Sequence, residues 1–349
     1  MKKLKNMNRG RRRNILTCAF VAAAYVILQL WAGAGMSSSL KGMLVPICAY
    51  VVMAVSLNLT VGVLGELSLG HAGFMSVGAF TGVTAAVALQ NAVPSAPLRL
   101  AIALAVGALF AAAIGFLIGI PVLRLNGDYL AIVTLAFGEI IKTVFNNLYV
   151  GLDANGFRIS LLEDRTRLLE GGKLIIAGPM GIGGIQKIAT FTGGFVLTML
   201  CLVVIFNLVN SRAGRAIMAL RDNRIAAESV GISVTKYKMM AFVTSAAMAG
   251  AAGALFALNY STVVANKFDF NTSILVLVFV VLGGLGNMFG SIVAAAALTI
   301  LPEALRGSDK YRMLIYAVVL ILVMLGTNSP RLRALIERLR PRRRGKGEA

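Results

Sequence analysis

The sequence predicts an all-α, polytopic transmembrane helix bundle of about ten spans, with glycine-broken helices among them. Three observations predict it. Of the 349 residues, 58% are hydrophobic and only 14% charged, whereas a soluble domain runs near half apolar and a quarter charged. The apolar residues fall in runs long enough to cross a bilayer, which takes about 20 helical residues. The net charge of +20 sits in clusters that abut those runs. That is the positive-inside pattern, with anionic membrane lipid as a secondary partner. No aromatic-studded basic domain occurs, so nucleic acid is not an expected partner.

In chain order the spans read as 15–33, 41–63, 66–90, 98–120, 128–149, 191–210, 239–260, 272–289, 291–305 and 311–327. The first two and the last are ordinary. The third and eighth are glycine-laden, and the ninth is short and closed by Pro302. A basic segment, 1–14, precedes the membrane domain 15–327, and a basic tail, 328–349, follows it. A third basic cluster, 211–238, carries Arg212, Arg215, Arg221, Arg224, Lys236 and Lys238. An even number of spans puts all three clusters, and both termini, on the cytoplasmic side and leaves 150–190 outside. Reading the N-terminus as a cleaved secretory signal ending near "WAGAG" leaves an odd number, so a retained first helix is preferred.

Glycine pairs four apart, Gly78/Gly82, Gly115/Gly119 and Gly286/Gly290, read as evidence of close helix packing. "VLGELSLG" at 63–70 resembles "VLGGLGNMFG" at 281–290. Paired broken segments of this kind mark the substrate pathway in many transporters. The substrate-pathway candidates are therefore Gly65, Glu66, Ser68, Gly70, His71, Gly73, Gly283, Gly284 and Gly286. A break releases backbone N–H and C=O groups, which are tolerated at membrane depth only in protein or beside a polar cavity. The segment reads equally as pathway lining or as packing.

Catalytic chemistry needs convergent acids, bases, nucleophiles or metal ligands. Cys18, Cys48 and Cys201 are isolated, and His71 is the single histidine, so no zinc or haem pattern arises. "GGKL" at 171–174 lacks the spacing and hydroxyl of a phosphate-binding loop. Glu139 and Lys142, three apart, are expected to pair along one helix face. Glu66 is expected at the start of the third span, in the headgroup region or capping the helix. His71 reads as a hydrogen-bonded interior residue ahead of a proton carrier. In "RDNRIAAESVGI", 221–232, Asp222 is the expected N-cap of a short helix and Gly231 its left-handed terminator.

Five blocks in order, "LNLTVGVLGELSLGHAGFMSVGAF" (57–80), "LRLNGDYLAIVTLAFGEIIK" (123–142), "GPMGIGGI" (178–185), "GRAIMALRDNRIAAESVGISVTKYKMMAF" (214–242) and "VLGGLGNMFGSIVAAAAL" (281–298), resemble the membrane permeases of branched-chain amino-acid ABC importers. The resemblance is to the second of the two paired permease subunits. It implies a bacterial or archaeal cell membrane and a paired homologous permease. Two cytoplasmic ATPase subunits and an extracytoplasmic solute-binding protein complete the implied assembly. No cofactor is then bound by this chain, ATP being hydrolysed by the partners. It also assigns ATPase coupling to 211–238, on Arg221, Asp222, Ile225, Ala226, Ala227, Glu228 and Gly231. The stretch 157–177 is longer and more charged than the family's usual outer loop, a region expected to meet the solute-binding protein. The expected solute is a branched-chain or related amino acid; relatives that carry urea or short amides are an alternative. A proton- or sodium-coupled secondary transporter using Glu66 and His71 is another. A membrane-bound enzyme lacks a catalytic constellation.

Overall fold

The computed structural model describes residues 9–125, 127–153, 156–161 and 173–305, together with 314, 317, 318 and 321. The helices run α1 Arg9–Ala34, α2 Ser38–Asn58, α3 His71–Ala88, α4 Ala96–Val122 and α5 Asp128–Asn146, then α6 Phe191–Asn210, α7 Arg212–Asp222, α8 Arg224–Ser229, α9 Val234–Ala257, α10 Phe270–Gly283 and α11 Met288–Ala304. The chain forms two compact units, 1–297 and 298–349. The first holds α1 to α10. The described part of the second is the end of α11 and isolated helical positions.

Among the described residues, seven helices are long and apolar enough to cross a membrane. They coincide with the expected spans one to four, six, seven and eight. The expected count of ten is higher for three separate reasons. The fifth, α5, is helical but carries Asp128, Glu139 and Lys142. The ninth, α11, is an apolar helix of 17 residues that runs past Pro302 to Ala304 instead of stopping at the proline. The tenth lies, apart from four positions, outside the described residues, as do 1–8, 162–172 and the tail 328–349.

Helices α2, α3 and α9 are buried along most of their length. Small residues allow this. Gly78 on α3 lies on the backbone of Gly250 on α9, Gly82 faces Ala254, and Gly107 on α4 approaches the carbonyls of Gly78 and Gly250. A water-free bilayer offers little hydrophobic reward for burying one apolar helix against another, so close backbone packing supplies the association. Two of the three expected glycine pairs serve here: Gly78/Gly82, and Gly115/Gly119 against Ala246, Met239 and Phe242. The third does not. Gly286 lies outside any helix at φ 77°, and Gly290 packs on Gly283.

Outside the helices stands an antiparallel sheet, β2–β1–β3, from β1 Leu148–Asp153, β2 Gly156–Leu161 and β3 Lys173–Ala177. It departs from the all-helical expectation. Val150 is buried between Ile159 and Ile176 in the sheet register. "GPMGIGGI" then turns as its glycines predict, with Gly178, Gly181 and Gly184 all at positive φ. Gly181 also lies directly on the Val263 carbonyl, where a side chain has no room.

Candidate functional site

The first break starts where α2 widens into one π-helical turn, Leu59–Leu64, closed by Gly65 at φ 83°. Residues 65–70 are not helical, and α3 begins at His71. The expected start of the third span at residue 66 is thus five residues early, and Glu66 caps no helix. The cause is local. Gly65 takes a left-handed conformation that side-chain-bearing residues avoid, and the Glu66 N–H turns back to the Thr60 carbonyl at 3.1 Å. The released backbone donors find side-chain partners on other helices. Leu69 N–H donates to Thr134 Oγ1 on α5 and Ala72 N–H to Ser273 Oγ on α10, each at 3.1 Å. Gly70 and Gly73 let α5 approach: Gly70 lies on the Thr134 backbone and Gly73 on Gly138.

The second break follows α10. Gly284 and Gly286 adopt φ 92° and 77° before α11 starts. Gly283 lies against the backbone of Gly290 and Ser291. The two breaks touch, a contact that the likeness of their sequences does not itself predict. Gly62 faces the Gly286 backbone. Asn58 bridges them: its Oδ1 accepts from Gly286 N–H at 2.8 Å and its Nδ2 donates to Ser291 Oγ at 2.8 Å. Asn58 is absent from the expected site, though its signal is legible. A carboxamide inside an apolar span needs partners on other helices.

His71 and Glu66 do not meet. His71 is buried, and its Nε2 lies 2.8 Å from Ser56 Oγ on α2. Ser56 Oγ also lies 2.8 Å from the Met53 carbonyl and can donate to it, and an imidazole proton on Nε2 is the tautomer that satisfies both contacts. Ser245 of α9 donates to the Ser56 carbonyl at 2.6 Å. His71 therefore pins α3 to α2 and, through Ser56, to α9. Glu66 pairs with Lys238 near the start of α9, with both side chains largely buried. Near the first break the hydroxyls of Thr60, Ser68 and Ser76 are buried without a hydrogen-bond partner among the described residues. Such groups can bind a polar solute or water where a break meets a pathway. Glu139 and Lys142 pair as the i,i+3 spacing predicts.

Residues 211–232 form two short helices. Asn223, not Asp222, caps α8: its backbone is extended and its Oδ1 accepts from Ala226 N–H at 3.0 Å. Asp222 is the last residue of α7 and pairs with Arg221 at 3.0 Å. Two neighbouring residues were both good caps; the cap fell to the one whose backbone leaves the helix. Gly231 terminates the turn at φ 83°, as expected. Ala227 is buried with Leu220 and Val234. Glu228 pairs with Arg224 at 3.1 Å. Ile225 and Val230 are 80% and 75% exposed, with Ala226 exposed beside them. A fixed helical turn therefore presents its apolar side chains outward. Arg221 reaches back to the first break, donating from Nη1 to the Gly62 carbonyl at 3.0 Å.

The family described as "Branched-chain amino acid transport system / permease component" matches residues 39–324, which include both breaks and the segment 211–238. The high-affinity branched-chain amino acid transport system permease proteins LivM of Salmonella typhimurium and Escherichia coli are each 38% identical over 286 residues. Those alignments cover 79% of this chain and 66% of each relative, so the chain spans just under two thirds of the length of these curated relatives. The probable branched-chain amino acid transport permease protein LivM of Methanocaldococcus jannaschii is 24% identical over 278 residues, 69% of this chain and 74% of the relative. No solved structure matches the chain.

Proposed function

This chain belongs to the family of permease components of branched-chain amino acid transport systems, and from that premise we propose that it is the transmembrane subunit of an ATP-driven importer. A paired homologous permease would complete the channel, two cytoplasmic ATPase subunits would supply the energy, and an extracytoplasmic binding protein would deliver the solute. The solute proposed is a branched-chain amino acid or a close relative. The observation that carries the reading is α8. Ile225, Ala226 and Val230 face outward on a capped turn anchored to the first break. A small rigid apolar knob of this kind suits a groove on a partner. The groups a secondary transporter would use for protons are already engaged, Glu66 with Lys238 and His71 with Ser56, which favours an external energy source.

Uptake of labelled leucine into liposomes tests the reading, with the permease pair, the ATPases and the binding protein reconstituted together. Uptake should require both ATP and the binding protein and should persist with a protonophore. Uptake that runs without ATP and collapses with the protonophore would replace this reading with an ion-coupled one. Competition with isoleucine, valine, urea and acetamide identifies the solute class. An apolar pocket separates aliphatic side chains by only about 1–3 kcal/mol, so that choice is assigned to the binding protein.

The basic clusters also support an orientation: 1–14, 211–238 and 328–349 in the cytoplasm, and 150–190 outside. Cysteines introduced at Ser160, in β2, and Ser229, at the end of α8, should label oppositely with an impermeant reagent on intact cells. Outside labelling at both positions would reverse the assignment. The sheet at 148–177, with Ile159 and Leu161 exposed, is the surface proposed to receive the binding protein.

A further inference from the structure

We propose that Arg221 and Lys238 are positioning residues that transmit movement of α8 to the first helix break. The inference rests on the reading above, in which a partner ATPase moves α8. The two cations stand on either side of α8 in sequence. Arg221 lies just before its Asn223 cap, and Lys238 lies in the first turns of α9 beyond it. Both converge on residues 62–66.

The contacts are specific. Arg221 donates from Nη1 to the Gly62 carbonyl at 3.0 Å, while its Nε and Nη2 are held by Asp222 at 3.2 and 3.0 Å. The carbonyls of a helix's last turn have no partner within the helix, so this bond satisfies one of them. The Arg221 stem lies on Gly65, where a Cβ would come 2.5 Å from Arg221 Cγ. Lys238 Nζ pairs with Glu66 Oε1, at side-chain exposures of 4% and 13%. Burial of this depth weakens solvent screening and makes each charge depend on the other.

Gly62 and Glu66 flank Gly65, the left-handed residue that ends the π-helical turn. A displacement of α8 would therefore pull at two points on either side of a glycine that can absorb the change in backbone angles. Gly62 also faces Gly286, which Asn58 holds. The same displacement reaches the second break through contacts already made. In this scheme the segment 211–238 acts on both breaks, and the Glu66–Lys238 pair is the buried link.

The test uses the assembled complex in liposomes and two double variants, neither of which leaves a buried charge unpaired. Glu66→Gln with Lys238→Met removes the link, and Glu66→Lys with Lys238→Glu reverses it. Three quantities are read: ATPase co-purification, ATP hydrolysis stimulated by loaded binding protein, and uptake. The neutral double should keep its thermal midpoint and its ATPase, lose at least tenfold in uptake, and leave hydrolysis unresponsive to the binding protein. The reversed pair should recover at least half of parental uptake. Near-parental uptake in the neutral double would overturn the proposal. So would a reversed pair as inactive as the neutral one while folded and ATPase-bound. Failure of the parent chain to capture the ATPase at all would instead sink the functional reading on which the proposal rests.

Discussion

Gly78→Val should leave little or no folded permease. A Cβ at residue 78 runs into the carbonyl oxygen, carbonyl carbon and Cα of Gly250. All three are backbone atoms of α9, so no side chain can rotate away. Helices α3 and α9 would have to separate, and the contacts of Gly82 with Ala254 and of Gly253 with Met75 would open with them. Overpacking a well-packed core costs ~1–3 kcal/mol and occasionally more. With backbone on both sides the cost should lie at or above the top of that range, against a total stability of ~5–15 kcal/mol. Gly42→Ala supplies the contrast. It lies in α2 with nothing among the described residues within 4 Å of its added Cβ, and exchanging a helical glycine for alanine gains ~0.5–1 kcal/mol. Thermal unfolding and size exclusion in detergent should show the first variant aggregated or with a much lower midpoint, and the second at or above the parent. A parental midpoint for Gly78→Val would mean that α3 and α9 do not pack as described.

Ala226→Glu and Gly231→Val should leave the permease inserted and folded while abolishing uptake. Ala226 is exposed on α8, and a Cβ added at Gly231 would meet nothing within 4 Å among the described residues, so neither substitution meets a steric obstacle there. In the proposed complex the exposed face that carries Ile225, Ala226 and Val230 meets the ATPase. A carboxylate buried there without a partner costs ~3 kcal/mol, which weakens ATPase association ~100-fold. Gly231→Val acts differently. Its φ of 83° costs a side-chain-bearing residue ~1–2 kcal/mol, and a β-branched one more. The turn after α8 should shift and take Val230 with it. Co-purification of the ATPase and uptake in liposomes read both effects. Normal values for both variants would remove α8 from energy coupling.

Some of this was legible in one dimension. The Glu139–Lys142 pair follows from helix spacing alone, since residues three apart share a face. The terminator at Gly231 and the turns in "GPMGIGGI" follow from the backbone freedom of glycine. The two breaks could be located because glycine is frequent there and the two segments resemble each other. Their details were not legible. Asp222 and Asn223 are equally good caps by type, and only the point at which the chain leaves α7 chooses between them. Pro302 reads as a stop, yet α11 continues past it. The hydroxyls that receive the freed donors of the first break, on Thr134 and Ser273, lie 65 and 201 residues away, beyond any periodicity.

The sequence by itself determined the solvent, the helices and the places where they fail. Hydropathy is a sum over side chains, helix length is a run of residues, and a left-handed turn is a property of one glycine; none needs a distant partner. The tertiary structure alone decided which group answers each exposed charge or backbone donor. Glu66 looked like a headgroup or capping carboxylate and is instead paired with Lys238, 172 residues on. Asn58, absent from the expected site, is the bridge between the two breaks. In a membrane interior a polar group must find its partner within the protein, and which partner it finds depends on how closely the small residues of α3, α4 and α9 let the helices approach.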